Sequence, residues 1–149
     1  MQSYSAMEVA NFIISTCANL KDPVSNLRLQ KLLYFAWVNF YRETHRYLFL
    51  DNMYAWNLGP VVPEVYFEYC AYGGQPIDPY HEPFIDSTDA DILNKIIDSY
   101  RLVPVNKLVE RTHMPDTAWY KVYNNGLGNR KVIPFWLIIQ MEFGEKYAT

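Results

Sequence analysis

His113 is the residue of this sequence best suited to acid–base catalysis. Residues 110–116, reading ERTHMPD, place it between Glu110 and Asp116. A carboxylate can orient an imidazole for proton transfer near neutral pH. The sequence contains none of the G-x-S-x-G, Walker A, H-E-x-x-H or G-x-G-x-x-G motifs that would support such a site. A histidine beside a helix that begins with proline also serves as a cap or an interface residue. We therefore expect no enzyme, and we keep one centred on His113 as an alternative.

The other residues that could bind a metal or undergo redox chemistry are scattered. Cys17 and Cys70 form no C-x-x-C pattern, and His45, His81 and His113 lie far apart. Two cysteines with dispersed histidines do not supply the ligands of a structural zinc site. We expect buried free thiols, no metal and no cofactor.

A helical framework must position these side chains. Residues 27–41, LRLQKLLYFAWVNFY, repeat apolar residues with helical spacing and are apolar on nearly all sides from Leu32 to Val38. Such a helix is normally buried among other elements. Charged and amide residues interrupt it, and it is too short to cross a bilayer. Capping residues, starting prolines and apolar stripes predict further helices at 5–18, 63–71, 87–100, 105–112, 115–123 and 135–143. The sequence predicts a mostly α fold. We expect a single compact domain over residues 1–149, with six or seven helices around the central buried helix and room for one small β-hairpin around 49–57.

The composition favours a protein-binding domain over a nucleic-acid-binding one. The net charge is −3, and the only adjacent basic pair is Arg130-Lys131, whereas nucleic-acid binding requires a basic face. Thirteen Tyr, eight Phe and four Trp are too many to be centred in 149 residues. Some rings should therefore reach the surface, where Tyr and Trp suit protein partners. The N-terminus lacks the pattern of a signal peptide, so we expect a cytoplasmic protein.

Residues 56–64, WNLGPVVPE, form the most unusual stretch. Pro60 and Pro63 fix their own φ and keep the residues before them out of the α region, which makes the segment stiff. A stiff segment loses less entropy on binding, so it suits recognition. The same segment also turns the chain and starts a helix, and the two roles are compatible. Tyr54 and Tyr66 flank it with aromatic area.

The middle of the chain is acidic. Its carboxylates are Glu64, Glu68, Glu82, Asp86, Asp89 and Asp91. An acidic face usually keeps a domain soluble, and it can also steer a basic partner.

Four segments together resemble a known family. They are LRLQKLLYFA at 27–36, AWNLGPVVPEVY at 55–66, Gly73-Gly74 with Pro76-Ile77 after it, and LVERTHMPDTAW at 108–119. The combination resembles the Panacea domain, a family that includes SocA-like antitoxins and many prophage-associated proteins. The resemblance extends over about residues 6–143, and the GPVVPEVY segment is its specific part.

The resemblance implies a non-enzymatic antitoxin that neutralises the protein toxin of a neighbouring gene by direct binding, without identifying that toxin. The family pattern places Trp56, Gly59, Pro60, Val61, Pro63, Tyr66, His113 and Trp119 at signature positions. With Tyr54 and Glu64, these residues form the predicted partner-binding set.

This sequence departs from the family pattern at Trp37 and Leu58. The family often has a polar residue, commonly glutamine, at the first position, and a basic or aromatic residue at the second. Both changes add apolar area. We expect no DNA-binding helix-turn-helix before the first helix, and no direct nucleic-acid or membrane partner.

The sequence thus predicts a cytoplasmic antitoxin. An adaptor that delivers a partner to a protease and a small enzyme centred on His113 are the alternatives. The oligomeric state stays open, with a homo-oligomer among the possibilities.

Overall fold

Seven α-helices and a small antiparallel sheet make up the part of the chain that the computed structural model describes, residues 3–144. The helices are α1 (Ala6–Asn19), α2 (Asn26–Thr44), α3 (Pro63–Tyr69), α4 (Ser87–Tyr100), α5 (Val105–Thr112), α6 (Ala118–Tyr123) and α7 (Phe135–Phe143). The strands are β1 (Met53–Trp56), β2 (Gly59–Val61) and β3 (Val132–Ile133). The prediction of a mostly α domain with a small β element is confirmed.

Helix α2 is buried along most of its length. The side chain of Ser25 caps it by accepting a hydrogen bond from the backbone N–H of Arg28, at 3.3 Å. Every residue from Leu29 to Val38 is buried, including the polar Gln30 and Lys31. The helix packs against α1, α3, α4, α5, α7 and β2, as expected for a helix that is apolar on most of its sides.

The three strands pair in the order β2-β1-β3. Strands β1 and β2 form a hairpin in which Trp56 pairs with Gly59, so Asn57 and Leu58 form its loop. The predicted hairpin range, 49–57, holds only the first strand. The second strand lies in the stiff proline segment, where Pro60 is tolerated because β2 is an edge strand. Strand β3 was not predicted from the sequence.

Two predicted helix starts differ in the structure. Helix α4 is capped by Asp86, whose carboxylate accepts from the N–H of Thr88 at 3.1 Å, rather than by Ser87 or Thr88. Helix α6 begins at Ala118 rather than at Pro115, because the hydroxyl of Thr117 accepts from the N–H of Tyr120 at 3.2 Å. In both cases a cap with a side-chain acceptor sets the first residue of the helix.

A buried polar cluster ties the N-terminal residues to α4. The phenol of Tyr4 donates to the carboxylate of Asp89 at 2.7 Å, and the guanidinium of Arg46 donates to both oxygens of the same carboxylate. Burial by itself raises the pKa of Asp89. The hydrogen bonds from Arg46 and Tyr4 outweigh that effect and bring the pKa below its usual value. The charged carboxylate is therefore the form that this cluster stabilises.

Both cysteines are free, as predicted, but only one is buried. Cys17 lies in the core, and burial raises the pKa of its thiol to about 11. Cys70 is exposed, which corrects the prediction that both thiols are buried, because it follows α3 on a surface turn. Among residues 3–144, no group of His, Cys, Asp and Glu side chains is placed to hold a metal ion. No helix in this range is long and apolar enough to cross a membrane.

Candidate partner-binding surface

The hairpin loop is held from inside the domain by three side chains. The indole N–H of Trp119 donates to the carbonyl of Trp56 at 2.7 Å. The Nε2 atom of His113 lies 2.9 Å from the carbonyl oxygen of Asn57. The Nζ atom of Lys31 donates to the carbonyl of Leu58. Three successive carbonyls of the loop thus have partners from α6, from the end of α5 and from α2.

His113 uses both of its ring nitrogens in this arrangement. Its Nδ1 lies 2.8 Å from the carbonyl oxygen of Val109, while Nε2 faces Asn57. A carbonyl oxygen only accepts, so both contacts are hydrogen bonds when both ring nitrogens carry protons. The ring also packs on Trp119, with 3.8 Å between the centroids. The imidazole therefore links the end of α5 to the hairpin loop.

The two carboxylates that flank His113 in sequence do not orient it. Glu110 pairs with Lys107 at 3.3 Å, and Asp116 pairs with Arg111 at 3.7 Å. Both ring nitrogens of His113 face backbone carbonyl oxygens instead, those of Val109 and Asn57. The geometry favours a structural role for His113, which connects the end of α5 to the hairpin loop.

Lys31 and Gly59 fit together beneath the hairpin loop. The Lys31 side chain is 0% exposed, and burial lowers the pKa of its ammonium to about 7. Gly59 has φ 118°, and a Cβ atom built there would collide with the Lys31 ammonium and lie 2.9 Å from the hydroxyl oxygen of Thr112. Only glycine can bring this strand so close to the buried lysine.

Aromatic side chains cover the outer face of the same hairpin and of α3. The rings of Trp56 and Tyr66 meet edge to face, with their centroids 5.1 Å apart. Phe67 contacts both rings, at 5.9 Å from Trp56 and 5.6 Å from Tyr66. Phe67 is 57% exposed and Leu58 is 48% exposed, so the chain displays apolar area here rather than burying it.

Two of these rings, Trp56 and Tyr66, border a groove of about 220 Å³ between the start of α2, the hairpin loop and α3. We call it the aromatic groove. It is lined by Asn26, Leu27, Gln30, Trp56, Asn57, Leu58, Val61, Tyr66, Cys70 and Gly73.

The two amides at the bottom of the aromatic groove are already hydrogen-bonded. Gln30 accepts from the N–H of Val62 at 3.0 Å and donates to Asn26 at 3.1 Å. Asn26 donates to the carbonyl of Tyr66 at 3.0 Å. Because these polar groups have partners within the chain, the groove offers a mainly apolar surface to an incoming group.

A cation lies beside the aromatic groove. The guanidinium carbon of Arg130 is 4.6 Å from the centre of the Trp56 ring, within the range of a cation–π contact. The two residues line a second cavity of about 360 Å³ together with Asn57, Tyr123 and Asn129. No carboxylate in residues 3–144 forms an ion pair with Arg130, although other arginines do so.

The structure divides the predicted partner-binding set into three groups. Gly59, Pro60, Val61 and Trp119 are buried, and His113 is half-buried beneath the loop. Trp56 and Tyr66 border the aromatic groove. Tyr54, Pro63 and Glu64 lie around a different depression, which also includes Asp51. The predicted set therefore combines residues that support the loop with residues that are accessible.

Sequence reasoning missed Arg130 as a neighbour of Trp56. In the sequence, the Arg130-Lys131 pair indicated only how little basic charge is clustered for nucleic-acid binding. Seventy-odd residues separate it from Trp56, and the short pairing between β1 and β3 brings them together. Cys70 and Phe67 were also missed as parts of this surface.

The acidic residues of the middle region do not act as one unit. Asp89 is buried in the cluster with Arg46, Asp86 caps α4, and Glu68 accepts a hydrogen bond from Tyr80. Glu64, Glu82 and Asp91 remain exposed. Among the charged groups described, the guanidinium of Arg130 is the one that contacts the Trp56 ring.

Comparison with known families places most of these features in one domain. The family described as Antitoxin SocA-like, Panacea domain, matches residues 29–120. The chain belongs to this family. The matched region includes Lys31, the hairpin, His113 and Trp119, whereas Arg130 lies outside it. The resemblance noted from the sequence is confirmed.

One relative of known name is the Antitoxin SocA of Caulobacter vibrioides (strain NA1000 / CB15N). It is 46% identical to this chain over 72 residues, which are 48% of this chain and 38% of that protein. The match thus spans well under half of the length of the relative. No solved structure matches the chain.

Proposed function

We propose that this Panacea domain is an antitoxin that neutralises a protein toxin by direct binding, and that it does so without catalysis. Its family and the name of its SocA relative support an antitoxin role. The observation that carries direct binding is the hairpin loop, which the side chains of Lys31, His113 and Trp119 hold from inside the domain. The outer face of the loop displays Trp56 and Leu58. A preorganised aromatic surface loses little entropy on association.

The helix α2 is the central support of this surface in our proposal. Lys31 reaches from it to the loop, and Asn26, Leu27 and Gln30 from its first turns form one wall of the aromatic groove. The partner would be the product of a neighbouring gene, met in the cytoplasm, and the complex would bury roughly 1,600 Å² in total.

Co-expression with the product of the adjacent gene tests the proposal. We expect that product to arrest growth alone, and we expect this chain to relieve the arrest and to co-purify with it in a stoichiometric complex. Relief without a complex would overturn direct binding. A neighbour that is harmless alone would overturn the antitoxin role for this chain.

Trp56 and Trp136 offer a matched pair for locating the surface. Trp136 is 54% exposed on α7 and does not line the aromatic groove. We expect Trp56→Ala to weaken the complex by roughly 2 kcal/mol or more, as anchor aromatics do, and Trp136→Ala to leave it unchanged. Circular dichroism and urea unfolding would verify that both variants fold. Equal affinities for the two folded variants would exclude the Trp56 surface.

An adaptor role shares this binding step and adds delivery of the toxin to a protease. The half-life of the toxin, measured in cells with and without this chain, separates the two. A toxin that disappears faster in the presence of the chain would indicate delivery, and a toxin that persists in the complex would indicate sequestration.

A further inference from the structure

The Trp56 ring lies between two kinds of recognition surface. Trp56 and Asn57 line both the aromatic groove and the cavity that contains Arg130. An apolar recess and a guanidinium with no ion-pair partner among residues 3–144 therefore adjoin a single indole ring. A ligand that fills one of them is within side-chain reach of the other.

The size of the aromatic groove indicates what enters it. Its volume of about 220 Å³ is below the roughly 300 Å³ at which pockets for drug-sized ligands begin. It suits one apolar side chain of a protein partner. Apolar anchors seated in such recesses, bordered by Trp and Tyr, commonly dominate the affinity of protein complexes.

The charge of Arg130 indicates what lies beside that anchor. The guanidinium stacks on Trp56, and the structure provides no ion-pair partner for it within residues 3–144. Its planar set of donors matches a carboxylate. The neighbouring side chains in the cavity, Asn57, Tyr123 and Asn129, carry no negative charge.

We propose that this surface recognises a segment of the partner protein in which an apolar side chain, seated in the aromatic groove, is close to an Asp or Glu carboxylate that pairs with Arg130. The inference rests on the proposed function and specifies the chemistry of the segment of the toxin. It also differs from the expectation that an acidic face receives a basic partner, because the charge that contacts Trp56 is positive.

Arg130 and Lys95 allow a test with a matched control. Lys95 lines a separate groove with Asn39 and Glu43, and Asn39 is roughly 18 Å from Leu27 along α2. The affinity for the purified product of the adjacent gene is measured by calorimetry. We expect Arg130→Met to weaken binding about tenfold, Arg130→Glu to weaken it further, and Lys95→Met to change it less than twofold. Unchanged affinity in Arg130→Met would overturn the proposal.

The carboxylate of the partner that pairs with Arg130 is located by reversing the charge on each side of the proposed ion pair. Single Asp→Lys and Glu→Lys variants of the partner are tested against the Arg130→Glu chain. Recovery of affinity by one of them identifies the paired carboxylate. If none recovers the affinity, the pairing with Arg130 is wrong.

Cys70 tests the groove without changing the sequence. It lines the groove and is exposed, whereas Cys17 is buried with a pKa of about 11 and serves as the internal control. We expect N-ethylmaleimide to modify Cys70, the modification to reduce affinity at least tenfold, and prior binding of the partner to protect the thiol. A modified chain that binds like the unmodified one would overturn occupation of the groove.

A displayed library of random peptides separates this inference from the proposed function. If the wild-type chain forms no complex with the adjacent gene product, the proposed function fails, and the library still tests the surface. Enrichment of apolar residues near Asp or Glu, lost with Arg130→Met, supports the inference. Enrichment of basic peptides, or the absence of any enrichment, overturns the inference.

Self-association of the chain is a further outcome that would overturn the inference. A concentration-dependent dimer that Arg130→Met dissociates would show that a second copy of the chain occupies the groove.

Discussion

The indole N–H of Trp119 donates a 2.7 Å hydrogen bond to the backbone carbonyl of Trp56. The two tryptophans have different environments, because Trp119 is only 6% exposed while Trp56 is half-buried beside the aromatic groove. One supports the loop and the other is displayed by it. This relationship changes the effect that we expect from mutating each residue.

Trp119→Phe should reduce stability. The substitution keeps an aromatic ring but leaves the carbonyl of Trp56 without its partner, which costs about 1–3 kcal/mol for a group removed from water. Trp119→Ala should cost about 3–5 kcal/mol, because it also leaves a cavity. Urea unfolding measures both, with Trp136→Phe as the exposed control, expected to change stability by less than about 0.5 kcal/mol. A Trp119→Phe variant as stable as Trp136→Phe would show that the hydrogen bond contributes nothing.

Gly59→Ala should be destabilising by roughly 2 kcal/mol or more. The backbone of an alanine would be strained at φ 118°, and its methyl group would crowd both Lys31 and Thr112. Gly74→Ala is the matched control, because nothing lies within 4 Å of a Cβ atom there and its φ is not in the left-handed range. Thermal or urea unfolding of the two variants compares them directly. If Gly59→Ala were as stable as Gly74→Ala, the hairpin loop would be able to move away from Lys31 without a loss of stability.

Lys31 should make stability depend on pH. In the folded chain its pKa is about 7, against an ordinary value of 10.5, because burial disfavours the charged form. Between these values the unfolded chain binds more protons, so the free energy of unfolding should rise with pH by up to about 1.4 kcal/mol per unit. Urea unfolding over a pH range of about 7 to 9 should show this rise in the wild type and in the exposed-lysine variant Lys95→Met, and its loss in Lys31→Met. Equal slopes in wild type and Lys31→Met would contradict the assignment.

Asp89 should stabilise the fold except in acid. Its pKa in the folded chain is lowered, so its contribution is present above the ordinary value of 3.8 and is lost as the pH falls through the folded value. Asp89→Asn should cost roughly 3 kcal/mol at neutral pH, because the carboxylate that accepts from Arg46 and Tyr4 is removed. The difference from wild type should shrink in acid.

Asp91 lies on the same helix and is exposed, so Asp91→Asn serves as the control for Asp89→Asn. Chemical unfolding at neutral and acidic pH measures both variants. A stability difference between wild type and Asp89→Asn that stays constant into acid would exclude a charged Asp89 as its source.

Much of the helical framework could be predicted from local signals. The apolar stripe and the Ser5–Glu8 capping box predicted α1, and the continuous apolar run from Leu32 to Val38 predicted a buried α2. The start of α6 was predicted three residues early, because Pro115 is a frequent first helical residue while Thr117 supplies the capping oxygen. The first residue of a helix depends on which of several neighbouring side chains supplies the capping acceptor. The local sequence pattern does not distinguish between these candidates.

The sequence by itself determined the helical character of the domain, its family, and the restricted backbone angles at Pro60 and Pro63. These depend on periodicity, on motif identity and on the fixed φ of proline, all of which are local. Tertiary structure alone decided that Trp119, His113 and Lys31 converge on three successive carbonyls, and that Arg130 reaches Trp56 across the β1–β3 pairing. These contacts join residues far apart in the chain, and packing, rather than any local preference, places them together.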